Sequence, residues 1–386
     1  MSRYPGAHVP EGDSVPPPIA AVPTSTALFA GWTPRGPADR AVRIGSADDF
    51  ARELGAGDPR ALLAYAVEHF FENGGRDAYV IRLASRDGDD AMRAADPTFH
   101  DAVTTAFSPG GIADGIDLFN LVCVPGLTDA PTLAFLQRRC RERRAFLVVD
   151  GDEAATTDAL VDTLSAFDGG DALWSAIYVP WVVAPDRLRA GAPRAFPPSG
   201  FVAGVMARTD AERGVWKAPA GRDAELRGAT GLVTVLTDRD QERLAPVGVN
   251  CLRSFSGGGP VVWGARTLHG LAREASEWTF VPVRRLALFL EESLQRGTRW
   301  AVFEPNGEPL WSSLRLQVGD FLRTLFRAGA FQGASEREAF LVKCDRETTS
   351  AEDIARGIVT IVVGFAPLRP AEFVVLTIRQ AASAPP

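Results

Sequence analysis

The chain is poor in the side chains that most often carry enzyme chemistry. Its four histidines, His8, His69, His100 and His269, and its four cysteines, Cys123, Cys140, Cys251 and Cys344, lie far apart in sequence. None has the clustered spacing of a zinc site, and no Ser-His-Asp or Cys-His set can be assembled from them. The reading is no metal, no cofactor, and reduced thiols in a cytoplasmic protein. Long apolar runs are missing too; none approaches the ~18 residues of a membrane span. The opening MSRYPGAHVPEG carries no apolar core of a secretory signal. Positive charge is in deficit, and a net charge of −7 argues against general nucleic-acid binding, which needs a basic footprint. Lysine is scarcest of all: of 41 basic residues, only Lys217 and Lys343 are not arginine.

What is present is an ordinary globular composition, 386 residues at 46% hydrophobic and 23% charged, enough for two to three domains with sizeable cores. Residues 1–20 stand apart, with prolines at 5, 10, 16, 17 and 18. Proline lacks an amide donor and favours extended backbone, so this segment is no helix; it is either a frayed terminus or an arm that docks elsewhere.

From residue 24 strands and helices alternate. Strands are predicted at 25–32, 41–44, 78–84, 118–126, 145–150 and 174–183, and helices at 46–54, 60–75 and 130–144. This order implies an α/β fold with a largely parallel sheet. Residues 85–115 and 185–200 read as loops. In the last third a helix is predicted at 286–297, a strand and turn at 299–306 and a long amphipathic helix at 310–331. Strands follow at 339–344, 357–367 and 372–380.

Four stretches invite functional readings. SFSGGGPVVWG (254–264) is a phosphate cradle or a tight turn between strands, and it lacks the GK[ST] and GxGxxG patterns. VVDGDE (148–153) sets Asp150, Asp152 and Glu153 at the end of a buried strand, where carboxylates hold Mg²⁺ or cap the next helix. RTDAERGVWKAPAG (208–221) places the rare Lys217 beside Trp216, Asp210, Glu212 and Arg213. A desolvated lysine is a nucleophile, whereas one packed on an aromatic ring and paired with a carboxylate is structural. In the helix at 310–331, Arg315, Arg323 and Arg327 fall within about a third of the circumference, opposite an apolar stripe. They make a solvated face or a basic stripe for an acidic partner.

A set of longer stretches, in order along nearly the whole chain, resembles the contractile tail sheath proteins of phage tails, R-type pyocins and extracellular contractile injection systems. They include RYPGAHVPEG (3–12), VPTSTALFAGWTPRGP (22–37), HFFENGGRDAYVIRL (69–83), YVPW (178–181) and PPSGFVAGVMARTDAERGVWKAPAG (197–221). GVNCLRSFSGGGPVVWGARTL (248–268), VPVRRLALFLEESL (281–294), RWAVFEPNGEPLW (299–311), AFLVKCD (339–345) and GFAPLRPAEFVVLTIRQ (364–380) complete the set. Ala7-His8 departs from the family's usual aromatic β-type residue, which weakens the first strand of the arm. The length implies the compact sheath type.

The resemblance implies a structural protein and not an enzyme. Its subunits stack as hexameric rings into a helical polymer around an inner tube protein. Baseplate and tail terminator or cap proteins are further partners; nucleic acid and membrane insertion are not. The polymer contracts from a stretched state to drive the tube through a target envelope. The fold implied is a multi-domain sheath fold of mixed α/β and α+β sheets. It divides into a linker arm (1–20), an outer α/β domain (21–265) and an inner domain (266–386). The arm, through Tyr4, Pro5, Gly6 and Val9, and the C-terminal strand, through Phe373, Val375, Thr377 and Ile378, add strands to a neighbour's sheet. Arg315, Arg323 and Arg327 face the tube. Asp210, Arg213, Trp216 and Lys217 become a structural turn, with Asp210, Arg213 and Lys217 pinning that turn or an adjacent subunit by ion pairing. Two readings compete: an α/β enzyme centred on Lys217 or on Asp150/Asp152, and a non-contractile assembly factor with a sheath fold.

Overall fold

Leu28 and Phe29 are neighbours in sequence, both 0% exposed, yet they enter different cores. A strand puts successive side chains on opposite faces, so a sheet covered on both sides needs apolar residues at every position. The strand β1 (Ala27–Trp32) is such a run, buried at all six positions. The computed structural model describes residues 17–84, 91–165, 170–269, 276–368 and 374–382. They group into two compact units, Val22–Leu290 with Pro367–Glu372, and Met1–Ala21 with Glu291–Ala366 and Phe373–Pro386.

The larger unit is built on an eight-stranded sheet. Its strands are β1, β2 (Val42–Ile44), β3 (Ala78–Leu83), β4 (Leu121–Cys123), β5 (Phe146–Asp150), β6 (Ser175–Val179), β10 (Val249–Ser254) and β11 (Pro260–Val262), in spatial order β11-β10-β6-β5-β4-β1-β3-β2. The inner pairings are parallel, and β2 and β11 close the two edges antiparallel. A short antiparallel sheet, β7 (Val182–Asp186), β8 (Ala192–Phe196) and β9 (Gly231–Leu232), lies beside it in sequence. Helices α1 (Ala47–Leu54), α2 (Leu63–Glu72) and α6 (Ser199–Arg213) supply one core, with Tyr65, Phe70, Phe201 and Met206. Helices α3 (Pro97–Phe107), α4 (Ala130–Glu142) and α7 (Asp238–Leu244) supply the other, with Phe99, Leu136 and Leu244; α5 (Thr157–Ser165) adds Leu160 and Val161 at its margin. Leu121 and Cys123 point to the first core and Val122 to the second, as Phe146 and Leu147 divide on β5.

The smaller unit has an antiparallel sheet of three strands, β12 (Phe340–Lys343), β13 (Ile358–Phe365) and β14 (Val374–Ala381), with β13 in the middle. Val359, Ile361, Val363 and Phe365, at alternate positions of β13, are all 0% exposed. Helix α8 (Val281–Gly297) runs through the residues at which the units divide, and α9 (Glu308–Arg327) belongs to the smaller one. The buried stripe of α9 is Leu310, Trp311, Leu314, Val318, Phe321, Leu322 and Leu325. Ile19 packs so closely on Gly297 that a Cβ there would meet its Cγ1 at 2.7 Å, and the amide of Gln317 donates to the carbonyl of Pro17.

Four sequence expectations are corrected. Residues 299–306 are not a strand: Arg299–Phe303 form a 3₁₀ turn after α8, with Ala301 buried and Trp300 Nε1 donating to Gln317 at 3.0 Å. An apolar run becomes a strand only where a partner completes the ladder, and among the described residues no ladder forms along 299–303. The 174–183 run breaks at Pro180, which has no amide to donate, so its halves join different sheets as β6 and β7. The 185–200 loop contains β8, whose Pro193 faces Pro185 in an edge pairing that needs no proline donor. The 85–115 loop contains α3, with Pro97 in the first turn where its missing amide costs nothing.

Candidate functional site

The stretch at 208–221 is a helix end followed by a turn. Arg208 to Arg213 close α6, Gly214 ends it at φ 89°, and the Lys217 amide donates to the Gly214 carbonyl at 3.0 Å. A positive φ favours glycine, which is why the chain turns there. Within the chain, the ion pair of this stretch is not made among its own residues. The Asp210 side chain is buried and faces Arg285 of α8, whose two terminal nitrogens donate to the two carboxylate oxygens at 2.9 and 2.6 Å. Arg285 also donates to the Thr24 carbonyl at 2.9 Å. Burial pushes the Asp210 carboxyl up, and the charge and hydrogen bonds of Arg285 oppose that shift. Arg213 is exposed, Trp216 and Lys217 are half-buried, and the Lys217 ammonium has no ion-pair or hydrogen-bond partner among the described residues.

Sequence reasoning missed Arg285 because it lies 75 residues from Asp210. One signal was available. The pair Arg284-Arg285 sits in the otherwise apolar run VPVRRLALFL, and both are 4% exposed. Arg284 is sandwiched between aromatic faces, 4.8 Å from the Trp174 ring centre and 4.4 Å from that of Trp278. Desolvated guanidinium–ring contacts of this kind are worth about 2 kcal/mol.

Asp150 is a further buried carboxylate, 2% exposed. It stands at the end of β5 and accepts from Gly126 N at 2.9 Å, Ser199 N at 2.6 Å and Ser199 Oγ at 2.8 Å. It thus ties the turn after β4 to the first residue of α6. Burial pushes its carboxyl up to about 6, against those three donors. Asp152 is exposed and accepts from the Ala154 amide at 2.8 Å, an ordinary local turn. Among the described residues no group of three or more His, Cys, Asp or Glu side chains gathers as a metal site. The glycine-rich 254–264 stretch is the β10–β11 hairpin, closed by Ser254 opposite Pro260 with Gly257 at φ 83°.

The three arginines of α9 have different partners. Arg315 donates to the Cys344 carbonyl and, at 2.6 Å, to Glu308. Arg323 pairs with Asp320 and, at 2.9 Å, with Glu336. Arg327 is exposed and has no partner among the described residues. In the C-terminal strand, Thr377 is exposed and Ile378 is 4% exposed. Val375, Thr377 and Ile378 lie opposite Gly364, Val362 and Ile361 of β13 in the same chain. The outer edges of β12 and β14 carry no strand among the described residues. Tyr4, Pro5, Gly6, Val9 and Phe373 lie outside the described residues.

Residues 114–268 match the phage tail sheath protein central domain, and residues 273–381 match the phage tail sheath C-terminal domain. The chain belongs to the phage tail sheath family. It is 27% identical over 277 residues to a putative prophage major tail sheath protein of Pseudomonas aeruginosa, covering 68% of this chain and 66% of that one. It is 26% identical over 181 residues to the tail sheath protein of Vibrio phage KVP40, covering 47% of this chain. The match spans only 26% of that Vibrio phage protein's length.

Among solved structures, the PVC sheath complex of an extracellular contractile injection system, in its contracted state, is 29% identical with a TM-score of 0.78 over 97% of both chains. The contracted helical sheath of the anti-feeding prophage is 29% identical with a TM-score of 0.74, over 97% of this chain and 99% of that one. The sheath tail protein of Listeria innocua shares the fold at 12% identity, with a TM-score of 0.66 over 94% and 96% of the two chains. In this sheath protein the Asp150 contacts and the β10–β11 hairpin fall inside the central-domain match and β12–β14 inside the C-terminal one, while the Asp210–Arg285 pair takes one residue from each.

Proposed function

We propose that this sheath-family chain is the structural subunit of a contractile sheath. It polymerises as a helical stack of hexameric rings around an inner tube and contracts to drive the tube through a target envelope. The observation that carries this reading is the likeness to two contracted injection-system sheaths over 97% of the chain. Baseplate and terminator proteins are its further partners, and it assembles in the cytoplasm of the producing cell; no helix among the described residues is long and apolar enough to cross a membrane.

The arm (1–20), an outer part (21–265) and an inner part (266–386) are the functional divisions of this reading. A neighbour's arm, through Tyr4, Pro5, Gly6 and Val9, adds to an open edge of the β12-β13-β14 sheet. Strand β14 leaves its own β13 for the same register on a neighbour, so the main-chain hydrogen bonds lost are regained. Arg315, Arg323 and Arg327 meet acidic residues of the tube. No catalytic step is assigned: Asp150 is held by three donors and Asp210 by Arg285, so neither is free to react.

Negative-stain microscopy of the protein expressed alone tests the reading. Striated hollow tubes are expected, and co-expression with a tube protein should yield a filled, longer form. A dispersed monomer at high concentration would overturn it, and tubes that never take up the inner protein would favour a non-contractile assembly factor.

A further inference from the structure

One cavity of the larger unit is unlike the rest of its surface. It encloses about 490 Å³ between the 214–221 turn, β10, the hairpin after it and the start of α8. Trp216, Trp263, Phe280 and Leu286 form apolar walls, and among the described residues the only charges on it are the cations Lys217 and Arg266. No carboxylate of the described residues lines it. Neither cation's side chain has a hydrogen-bond or ion-pair partner among the described residues, although both are half-buried. Burial holds the Arg266 guanidinium below its ordinary value. Half-buried cations on apolar walls are costly unless an anion completes them. The cavity therefore suits an apolar group that carries a carboxylate beside it.

The same chain presents that chemistry elsewhere. Phe303, on the 3₁₀ turn after α8, is 82% exposed, the most exposed large apolar side chain among the described residues. Glu304 follows it, is exposed and has no ion-pair partner among the described residues. Val235, 78% exposed, has no such neighbour, and the nearest carboxylate, Asp238, is taken by Arg253 at 2.9 Å. Leu316, 65% exposed, follows an arginine.

We propose that Phe303 of one copy seats in the Trp216/Trp263/Phe280 cavity of a second copy, with Glu304 pairing to Lys217 and Arg266. A knob and a hole at different places on one chain make a heterologous contact, and such a contact repeats into an open helix. The inference rests on the sheath reading, to which it adds a specific joint between subunits. That joint is carried by side chains and is separate from strand exchange at β12–β14.

Disulfide trapping in co-expressed variants tests it. Phe303→Cys and Ala218→Cys are placed in separate, differently tagged chains that both carry Cys251→Ala, because Cys251 lines the cavity beside Ala218; the other three native cysteines are buried away from it. Oxidised tubes should give a heterodimer on a non-reducing gel, absent when Phe303→Cys is paired with Ala159→Cys on exposed α5. In a second arm, Glu304→Lys should cut tube yield at least ten-fold, and adding Lys217→Glu with Arg266→Glu to that chain should restore it. Striated tubes with neither heterodimer nor charge-swap rescue would overturn this contact and leave the sheath reading standing. A wild-type chain that forms no tubes would overturn the sheath reading, and the contact with it.

Discussion

Arg285 and Asp210 form a two-pronged ion pair in which both side chains are 3% exposed and the nitrogens stand 2.9 and 2.6 Å from the two carboxylate oxygens. The pair joins the end of α6 to α8, and its third hydrogen bond reaches the Thr24 carbonyl just before β1. Removing one partner of such a pair leaves the other charge buried without compensation, a loss of about 3–5 kcal/mol. Arg285→Met and Asp210→Ala are each expected to lower unfolding free energy by that amount, read by denaturant titration. The double variant should lose less than the sum, because the second change removes the orphaned charge. Additive losses would mean that the two groups act separately.

Lys217 behaves differently from its sequence neighbour. With no partner to lose, Lys217→Met is expected to change unfolding free energy by no more than about 0.5 kcal/mol. If Lys217 pairs with Glu304 of a second copy as proposed, the same variant is expected to reduce tube yield. Borohydride treatment with small aldehydes should leave no preferred adduct at Lys217 over Lys343. Preferential trapping at Lys217 would revive the nucleophile reading.

The alternating strand–helix order, the doubly buried strands and the apolar stripe of α9 were legible because local pattern determines them: a run such as ALFAGW has no exposed face to offer, and Leu314, Val318 and Leu325 recur at helical spacing. The partners of the charged residues were not legible. Asp210 has Arg213 three positions away and Lys217 seven away, yet it chooses Arg285 because α8 brings a planar guanidinium into a dry site where two parallel hydrogen bonds form. The arginines of α9 share a face by spacing alone, but spacing is silent on Glu308 and Glu336, which already neutralise two of them. The 299–306 run reads as a strand by composition, yet Arg299–Phe303 close a 3₁₀ turn that exposes Phe303.

Asp150 should give the protein a distinctive pH response. Its folded pKa of about 6 lies above the ordinary 3.8, so the fold holds that proton more tightly than the unfolded chain does. The stabilisation from protonation is complete below about pH 4 and is lost as pH rises through 6, a change of up to about 3 kcal/mol. Asp150→Asn cannot ionise, so its unfolding free energy should gain on the wild type as pH goes from 4 to 7. Parallel pH profiles for the two proteins would show that the three donors from Gly126 and Ser199 keep the group ionised throughout.

The tube-contact reading makes unequal predictions for three arginines that look alike in sequence. Arg315 is committed to the Cys344 carbonyl and Glu308, and Arg323 to Asp320 and Glu336. A tube carboxylate competing for either would have to displace a carboxylate already in place, so reversing them should perturb the α9–β12 region before it perturbs co-assembly. Arg327 is exposed and has no partner among the described residues, so its charge is available to a second protein. Arg327→Gln is therefore expected to leave the unfolding transition of the isolated subunit in place while weakening co-assembly with the tube. Arg327→Glu should weaken it further through repulsion. Because exposed charges are screened within about 8 Å at physiological ionic strength, the wild-type difference should shrink as salt is raised. Co-sedimentation with tube protein across a salt series measures this, and an Arg327→Glu variant that co-sediments like wild type at low salt would remove α9 from the tube contact.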